Sequence, residues 1–198
     1  MEKNKFQLKR EATYQQMLQA ALMCFSEKGY TSTTLGDIVA RTGHTKGAFY
    51  GHFKSKEELF FHVLDYQNQQ TQGWTDVPKQ YSPADTTLEE IIRLTVANLA
   101  KKLQGIDNWI VVLIDFYLQT KHHPEYHERL KAKYGLWISE ISTLVRVLQE
   151  QGWVSPDKDV HLTAMQVIAL NEGYTIFSTL FGGENDQALI QGLVRLLS

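Results

Sequence analysis

At 198 residues, with 43% hydrophobic and 21% charged side chains and four prolines, the chain is long enough for a sizeable core and unlike a linker or disordered segment. A single cysteine, Cys24, excludes an internal disulfide and a thiolate metal cluster; the charged start MEKNKFQLKR and a longest apolar run of only 109–114 point to a cytoplasmic protein with no signal peptide and no membrane span. The net charge of −2 divides unevenly, with nine Lys/Arg against four acids in residues 1–56 and eleven against eighteen in 57–198, so a basic N-terminal third suited to a polyanion is joined to an acidic body.

Tyr14, Met17, Leu18, Ala21, Leu22 and Phe25 recur at three- and four-residue steps and predict an amphipathic helix that Gly29 stops. Thr34 with Asp37 three positions on predicts an N-cap, and Gly43 ends that short helix after about two turns. A second short helix is expected from Thr45 to Phe53. Ser55-Lys56-Glu57-Glu58 reads as a capping box opening a longer helix through Leu59, Phe60, Val63 and Leu64. Gly73, Pro78 and Pro83 mark a loop. Thr87-Leu88-Glu89-Glu90 opens a helix that Gly105 ends, and residues 109–118 form a mostly apolar helix. Pro124 begins a long helix closed by Gly152, Ser155-Pro156 starts the next, and Gly182-Gly183 ends it before a last short helix. Strand signals are weak, so the expected fold class is all-α with about nine helices.

Residues 34–53, TLGDIVARTGHTKGAFYGHF, read as a helix-turn-helix: two short helices around a Gly-containing turn, held to a core by Ile38 and Phe49. The second helix is expected to expose Thr45, Lys46, Ala48, Tyr50 and His52, a face rich in donors and poor in apolar bulk that suits a major groove. Gly47 keeps that face thin at a cost of about 1 kcal/mol, which a close approach would offset. Thr33 and Thr34 at a helix N-terminus, with Lys54 and Lys56 beyond, are candidate phosphate contacts.

The combination of Ala20, Phe25, Gly29-Tyr30, Thr33-Thr34, Ile38, Gly43, the run Thr45-Lys46-Gly47-Ala48-Phe49-Tyr50, His52-Phe53 and Lys56-Glu57-Glu58-Leu59 resembles the TetR family of bacterial transcriptional regulators. The resemblance covers about residues 10–65. Val39 and Thr42 stand where the family commonly has alanine, and His44 where it commonly has valine, so His44 either alters the turn or is a further candidate DNA contact. The resemblance implies a three-helix DNA-binding domain in residues 1–55 and a helical effector-binding and dimerisation domain in 56–198. It also implies double-stranded palindromic DNA as partner, repression as a homodimer and release by a small molecule, with no cofactor. The 162–181 segment fits independently: a helix apolar all round is buried on two sides, so it and the 124–151 helix would pair two subunits through residues 124–151 and 157–181.

Candidate effector contacts are Trp109, Asp115, Phe116, Trp137, Asn171, Tyr174 and Phe177, which would suit a small apolar or aromatic molecule. Each has a plainer reading. Asp115 in WIVVLIDFYL is either a ligand's counter-charge or the partner of a local cation or helix terminus. Aromatics at helical spacing are commonly core, and Asn171 beside Glu172 fits a dimer seam. In the histidine-rich start of His122, His123 and His127, the pair His123 and His127 has metal-ligand spacing with Glu128 next door, but without a third sure ligand it reads as a solvated helix end, and no metal is expected. No nucleophile elbow, phosphate loop or dinucleotide fingerprint is present, so an enzyme is not expected. The alternative to a ligand-released repressor is a regulator of the same type without a small-molecule effector.

Overall fold

The computed structural model describes residues 4–103, 109–182 and 186–198. Among them the chain forms nine α-helices: α1 (Lys5–Ser32), α2 (Leu35–Thr42), α3 (Lys46–Tyr50), α4 (Lys56–Thr71), α5 (Leu88–Lys102), α6 (Trp109–Thr120), α7 (Pro124–Glu150), α8 (Val160–Phe181) and α9 (Asp186–Leu197). Two single-turn 3-10 segments, Trp74–Asp76 and Pro78–Gln80, lie between α4 and α5.

The all-α expectation holds among the described residues. Local chemistry accounts for many helix ends. Thr34 and Asp37 form a reciprocal capping box at α2, and Gly43 ends it in the left-handed region at φ 69°. Thr45 caps α3 by accepting the Ala48 N–H at 3.2 Å. The helix after Thr45 stops at Tyr50, short of the expected Phe53. Ser55 accepts the Glu58 N–H, but the Glu58 carboxylate reaches the Lys54 N–H rather than closing a box on Ser55. The helix expected from Ser155-Pro156 starts later, with Asp159 as N-cap at α8. Ser155 instead accepts the Gln149 side-chain N–H through its carbonyl, which closes the turn after α7.

The helices pack as two units. One is Met1–Gln70 with Gly105–Gln119, the other Thr71–Gln104 with Thr120–Ser198. The packing division therefore differs from the 55/56 boundary suggested by sequence, because α4 and α6 share a core with the first three helices. That core is aromatic: Phe25, Phe49, Phe53, Phe60, Phe61 and Phe116 are fully buried, and Phe116 stacks on Phe60 at 4.1 Å between ring centres. Each such ring contributes about 1.5–3 kcal/mol by leaving water. Cys24 is a small buried member of this core. The second unit has an aliphatic core of Ile91, Ile92, Leu144, Val145, Leu148, Val154, Leu189, Ile190, Leu193 and Leu197. On α8 of that unit Leu162, Met165, Phe177, Leu180 and Phe181 stay exposed. One face of α8 packs against this core through Val160, Val167, Leu170 and Tyr174, and its other apolar face is bare in the isolated chain.

Candidate nucleic-acid interface

The α2–turn–α3 element is held from behind. Ile38 and Phe49 are fully buried, and two ion pairs tie α2 to α1: Lys28 with Asp37 at 2.6 Å, and Arg41 with both oxygens of Glu27 at 2.6 and 2.7 Å. Single surface pairs are worth little, but a bidentate guanidinium fixes orientation as well as charge. The Lys28 ammonium and the Thr34 hydroxyl and N–H together hold the Asp37 carboxyl far below the usual carboxylate range.

This geometry leaves the outer face of α3 open. Thr45, Lys46, Gly47 and Tyr50 are exposed and Ala48 is half-buried. Thr45 spends its oxygen on the cap, so its hydroxyl proton stays available. Tyr50 packs edge-on to Phe49 and projects its phenol outward. A Cβ on Gly47 would meet only the Thr45 hydroxyl, at 3.7 Å. Nothing inside the chain requires glycine there, so the requirement, if any, comes from what approaches the face.

Three expected contacts change role. Thr33 is buried, and its hydroxyl donates to the carbonyls of Gly29 and Cys24 at 2.7 and 2.9 Å; it is a structural residue at the end of α1. Thr34 is exposed, but its hydroxyl and backbone N–H both donate to Asp37, so the chain's own carboxylate already occupies the anion seat at the start of α2. Lys56 donates to the carbonyls of Tyr30 and Thr33, each at 2.9 Å, and lies 4.2 Å over the Tyr30 ring. It serves the orphan carbonyls at the α1 end, and burial pushes its ammonium below the ordinary lysine value.

Lys54 remains exposed. His44 is half-buried, with Nε2 2.9 Å from Gln16 Oε1 and its backbone N–H on the Thr42 hydroxyl, so it ties the turn to α1. His52 is half-buried against Tyr14 and Phe53. Burial, then the charge of Arg10, hold its imidazole below the usual value, so at neutral pH it offers a neutral donor and acceptor rather than a cation.

Lys5, Lys9 and Arg10 were not singled out in the sequence pattern. Arg10 lines an open cleft of about 440 Å³ with Gln7, Glu11, Tyr14 and His52. Lys5, Lys9, Arg10, Lys46 and Lys54 have no carboxylate partner among the described residues, in contrast to Lys28 and Arg41. In the sequence these three side chains counted only toward the net positive charge of residues 1–56, which does not single out any one of them.

The seven candidate effector residues do not gather in one unit. Trp109, Asp115 and Phe116 belong to the first and Trp137, Asn171, Tyr174 and Phe177 to the second. Asp115 is committed to a helix end: its carboxylate accepts the Thr31 N–H at 2.8 Å and the Thr31 hydroxyl. Phe116 is buried between Phe60, Phe61 and Tyr30, and Trp109 stacks on Phe60. These are corrections toward structural roles. Asn171 and Phe177 are exposed, while Trp137 and Tyr174 are half-buried. His123 lies 3.6 Å from Glu125, and among the described residues no three His, Cys, Asp or Glu gather to hold a metal ion. No helix among them is long and apolar enough to cross a membrane.

Comparison with known proteins adds a second line of evidence. Residues 17–63 match the family model described as bacterial regulatory proteins, tetR family. Residues 86–196 match that of the BetI-type transcriptional repressor, C-terminal. The HTH-type transcriptional regulator YwcC of Bacillus subtilis is 27% identical over 190 residues, spanning 92% of this chain and 83% of its own. A TetR-family regulator from Cytophaga hutchinsonii superposes with a TM-score of 0.72 at 21% identity, covering 100% of this chain and 96% of that one. FadR of Bacillus subtilis, solved in complex with stearoyl-CoA, superposes at 0.69 with 18% identity over 93% and 98% of the two chains. At such identities the solved structures speak for the fold alone.

Proposed function

Because the chain belongs to the TetR family of bacterial transcriptional regulators, we propose that it is a repressor, acting in the cytoplasm, that binds a palindromic operator as a homodimer and is released by a small molecule. The family's members are DNA-binding regulators and not enzymes, often work as dimers, and give the reading its frame. The observation that carries it is the outer face of α3. Thr45, Lys46 and Tyr50 present unspent donors there around a glycine that the chain itself does not need.

DNA reading is assigned to residues 1–55, with Thr45, Lys46, Gly47, Ala48 and Tyr50 facing base edges. Lys54, together with Lys5, Lys9 and Arg10, would face phosphates and fix register without reading sequence. Effector binding and dimerisation are assigned to 56–198. The bare stripe of Leu162, Met165, Ala169, Gly173, Phe177 and Leu180 on α8 recurs at helical spacing and, with Leu136 of α7, supports subunit pairing through α7 and α8. The effector is apolar or aromatic, with Trp137 and Tyr174 its candidate contacts.

A two-fold dimer presents its α3 helices about one DNA turn apart, roughly 34–36 Å, or a multiple of it. An effector that favours a subunit arrangement with another separation weakens operator binding by no more than its differential affinity for the two states. Helix α6 is suited to carry such a change: it follows α5 in sequence, yet it packs in the first unit and grips the end of α1 through Asp115. The experiment is a mobility shift on the DNA preceding the protein's own gene. Retention of that DNA at low salt supports the reading, and failure to retain any nearby palindrome contradicts it.

A further inference from the structure

In the first unit, Tyr14 of α1 brings two histidines together. Its hydroxyl lies 3.0 Å from His62 Nδ1 on α4, and its ring centre lies 5.9 Å from that of His52, just beyond α3. A third, His44, stands in the turn before α3. The ring of His44 is held by Gln16 and that of His62 by Tyr14. His52 is held by packing against Tyr14 and Phe53, and among the described residues neither of its ring nitrogens has a hydrogen-bond partner.

His52 forms one wall of the open cleft that Gln7, Arg10, Glu11 and Tyr14 complete. The acid there, Glu11, accepts the Gln15 amide at 3.1 Å. With His52 neutral, the charges of Arg10 and Glu11 cancel. A proton on His52 leaves the cleft with one net positive charge, the complement of a single phosphodiester. Burial opposes that proton most, Arg10 of α1 and His44 of the turn add to it, and Glu11 works against them. From α4, His62 packs edge-on to the same Tyr14 ring with Glu58 3.9 Å from its Nε2, and Asp65 acts on the Tyr14 phenol. On its own segment Lys54 follows two positions on. The free chain therefore keeps His52 neutral at pH 7, and an anion in the cleft reverses the balance.

We propose that the Arg10–His52 wall of this cleft seats a backbone phosphate of duplex DNA and takes up a proton with it, so that DNA binding tightens in acid. This rests on the DNA-binding reading above and adds a proton to its chemistry. The phosphate accepts from the guanidinium and from the imidazolium, and both bonds are charge-assisted. Lying between Arg10 and His52, it turns their repulsion into a shared attraction. The complex holds the His52 proton more firmly than the free chain does. Affinity therefore rises as pH falls through the ordinary imidazole range and is level above it.

The test is titration calorimetry of the full chain with a duplex from upstream of its gene, near neutral pH and at one ionic strength, in PIPES and in bis-Tris. The difference in heat between the two buffers counts the protons taken up. The parent is expected to take up a fraction of one proton. Anisotropy titrations should show affinity rising about tenfold from about pH 8 to about pH 5.5, the gain from a tenfold firmer hold on one proton. His52→Gln should lose both the uptake and the rise, with His52→Asn as a second form if the first melts early. His44→Gln should keep both, and Arg10→Gln should bind more weakly at every pH. No uptake by the parent, an uptake that survives loss of His52 or vanishes in His44→Gln, or an Arg10→Gln variant as tight as the parent would overturn the proposal. Binding that ignores pH removes this site and leaves the regulator, whereas no binding at any pH removes both.

Discussion

The carboxylate of Asp115 accepts both the backbone N–H and the hydroxyl of Thr31, a residue 84 positions earlier. Just before Thr31, Gly29 sits at φ 79°, and a Cβ there would come within 3.2 Å of Asp115 Oδ2. The acid thus closes the end of α1 in a space that only glycine leaves open.

Asp115→Ala removes two hydrogen bonds to a charged acceptor and is expected to cost about 2 kcal/mol in the first unit. Gly29→Ala should also destabilise, through the positive φ and the close oxygen. Because the two changes share one contact, the double variant should lose less than the sum. Thermal or urea unfolding of the four proteins measures this, and strict additivity would separate the two residues.

Lys54 and Lys56 are two positions apart and are expected to behave differently. Lys54→Ala should lower the salt slope of DNA binding by about 1, with little effect on stability. Lys56→Ala should instead cost about 1–3 kcal/mol, because the carbonyls of Tyr30 and Thr33 lose their charged donor. Unfolding curves and affinities over a salt series distinguish the two.

Gly47→Ala places a methyl group where the chain offers only a 3.7 Å contact. Stability should hold or rise, by up to about 1 kcal/mol from helix propensity. DNA affinity should fall at least about tenfold, since the methyl occupies the approach to the groove. An unchanged affinity would mean that this face keeps its distance from DNA.

Asp37 gives an acid limb to the stability of the first unit. Its folded carboxyl titrates below the unfolded one, so its contribution is present above the ordinary carboxylate range and lost as pH falls through and below it. Asp37→Asn should therefore melt earlier than the parent at pH 7, and the gap should narrow steadily toward pH 2. A gap independent of pH would assign the loss to geometry rather than charge.

What the sequence made legible was local. Thr34 with Asp37, the Gly43 turn and the Thr45 cap follow from residues within three or four positions of each other, and the structure forms each as its spacing suggests. The exposure of Lys46 and Tyr50 follows from the burial of Phe49 between them. What it hid was long-range. The same basic character makes Lys54 and Lys56 look alike, and only the folded end of α1 gives Lys56 its carbonyls. Asp115 reads as an unpaired charge in an apolar helix until Thr31 arrives from elsewhere in the chain. His44 looks like part of the reading face until Gln16 of α1 takes its ring. The candidate effector residues share composition but not location, because helical spacing does not say which unit a helix joins.

The central claim is that α3 enters a DNA groove with Lys46 and Tyr50 leading. The direct measurement is fluorescence anisotropy of a labelled duplex from upstream of the gene, titrated with the parent protein and with the Lys46→Ala, Tyr50→Phe double variant, alongside unfolding and sedimentation of both. The account predicts affinity reduced at least about a hundredfold, roughly 1.4 kcal/mol for each lost contact, in a variant as stable and as oligomeric as the parent. An equal affinity, or a loss matched by unfolding, would contradict it.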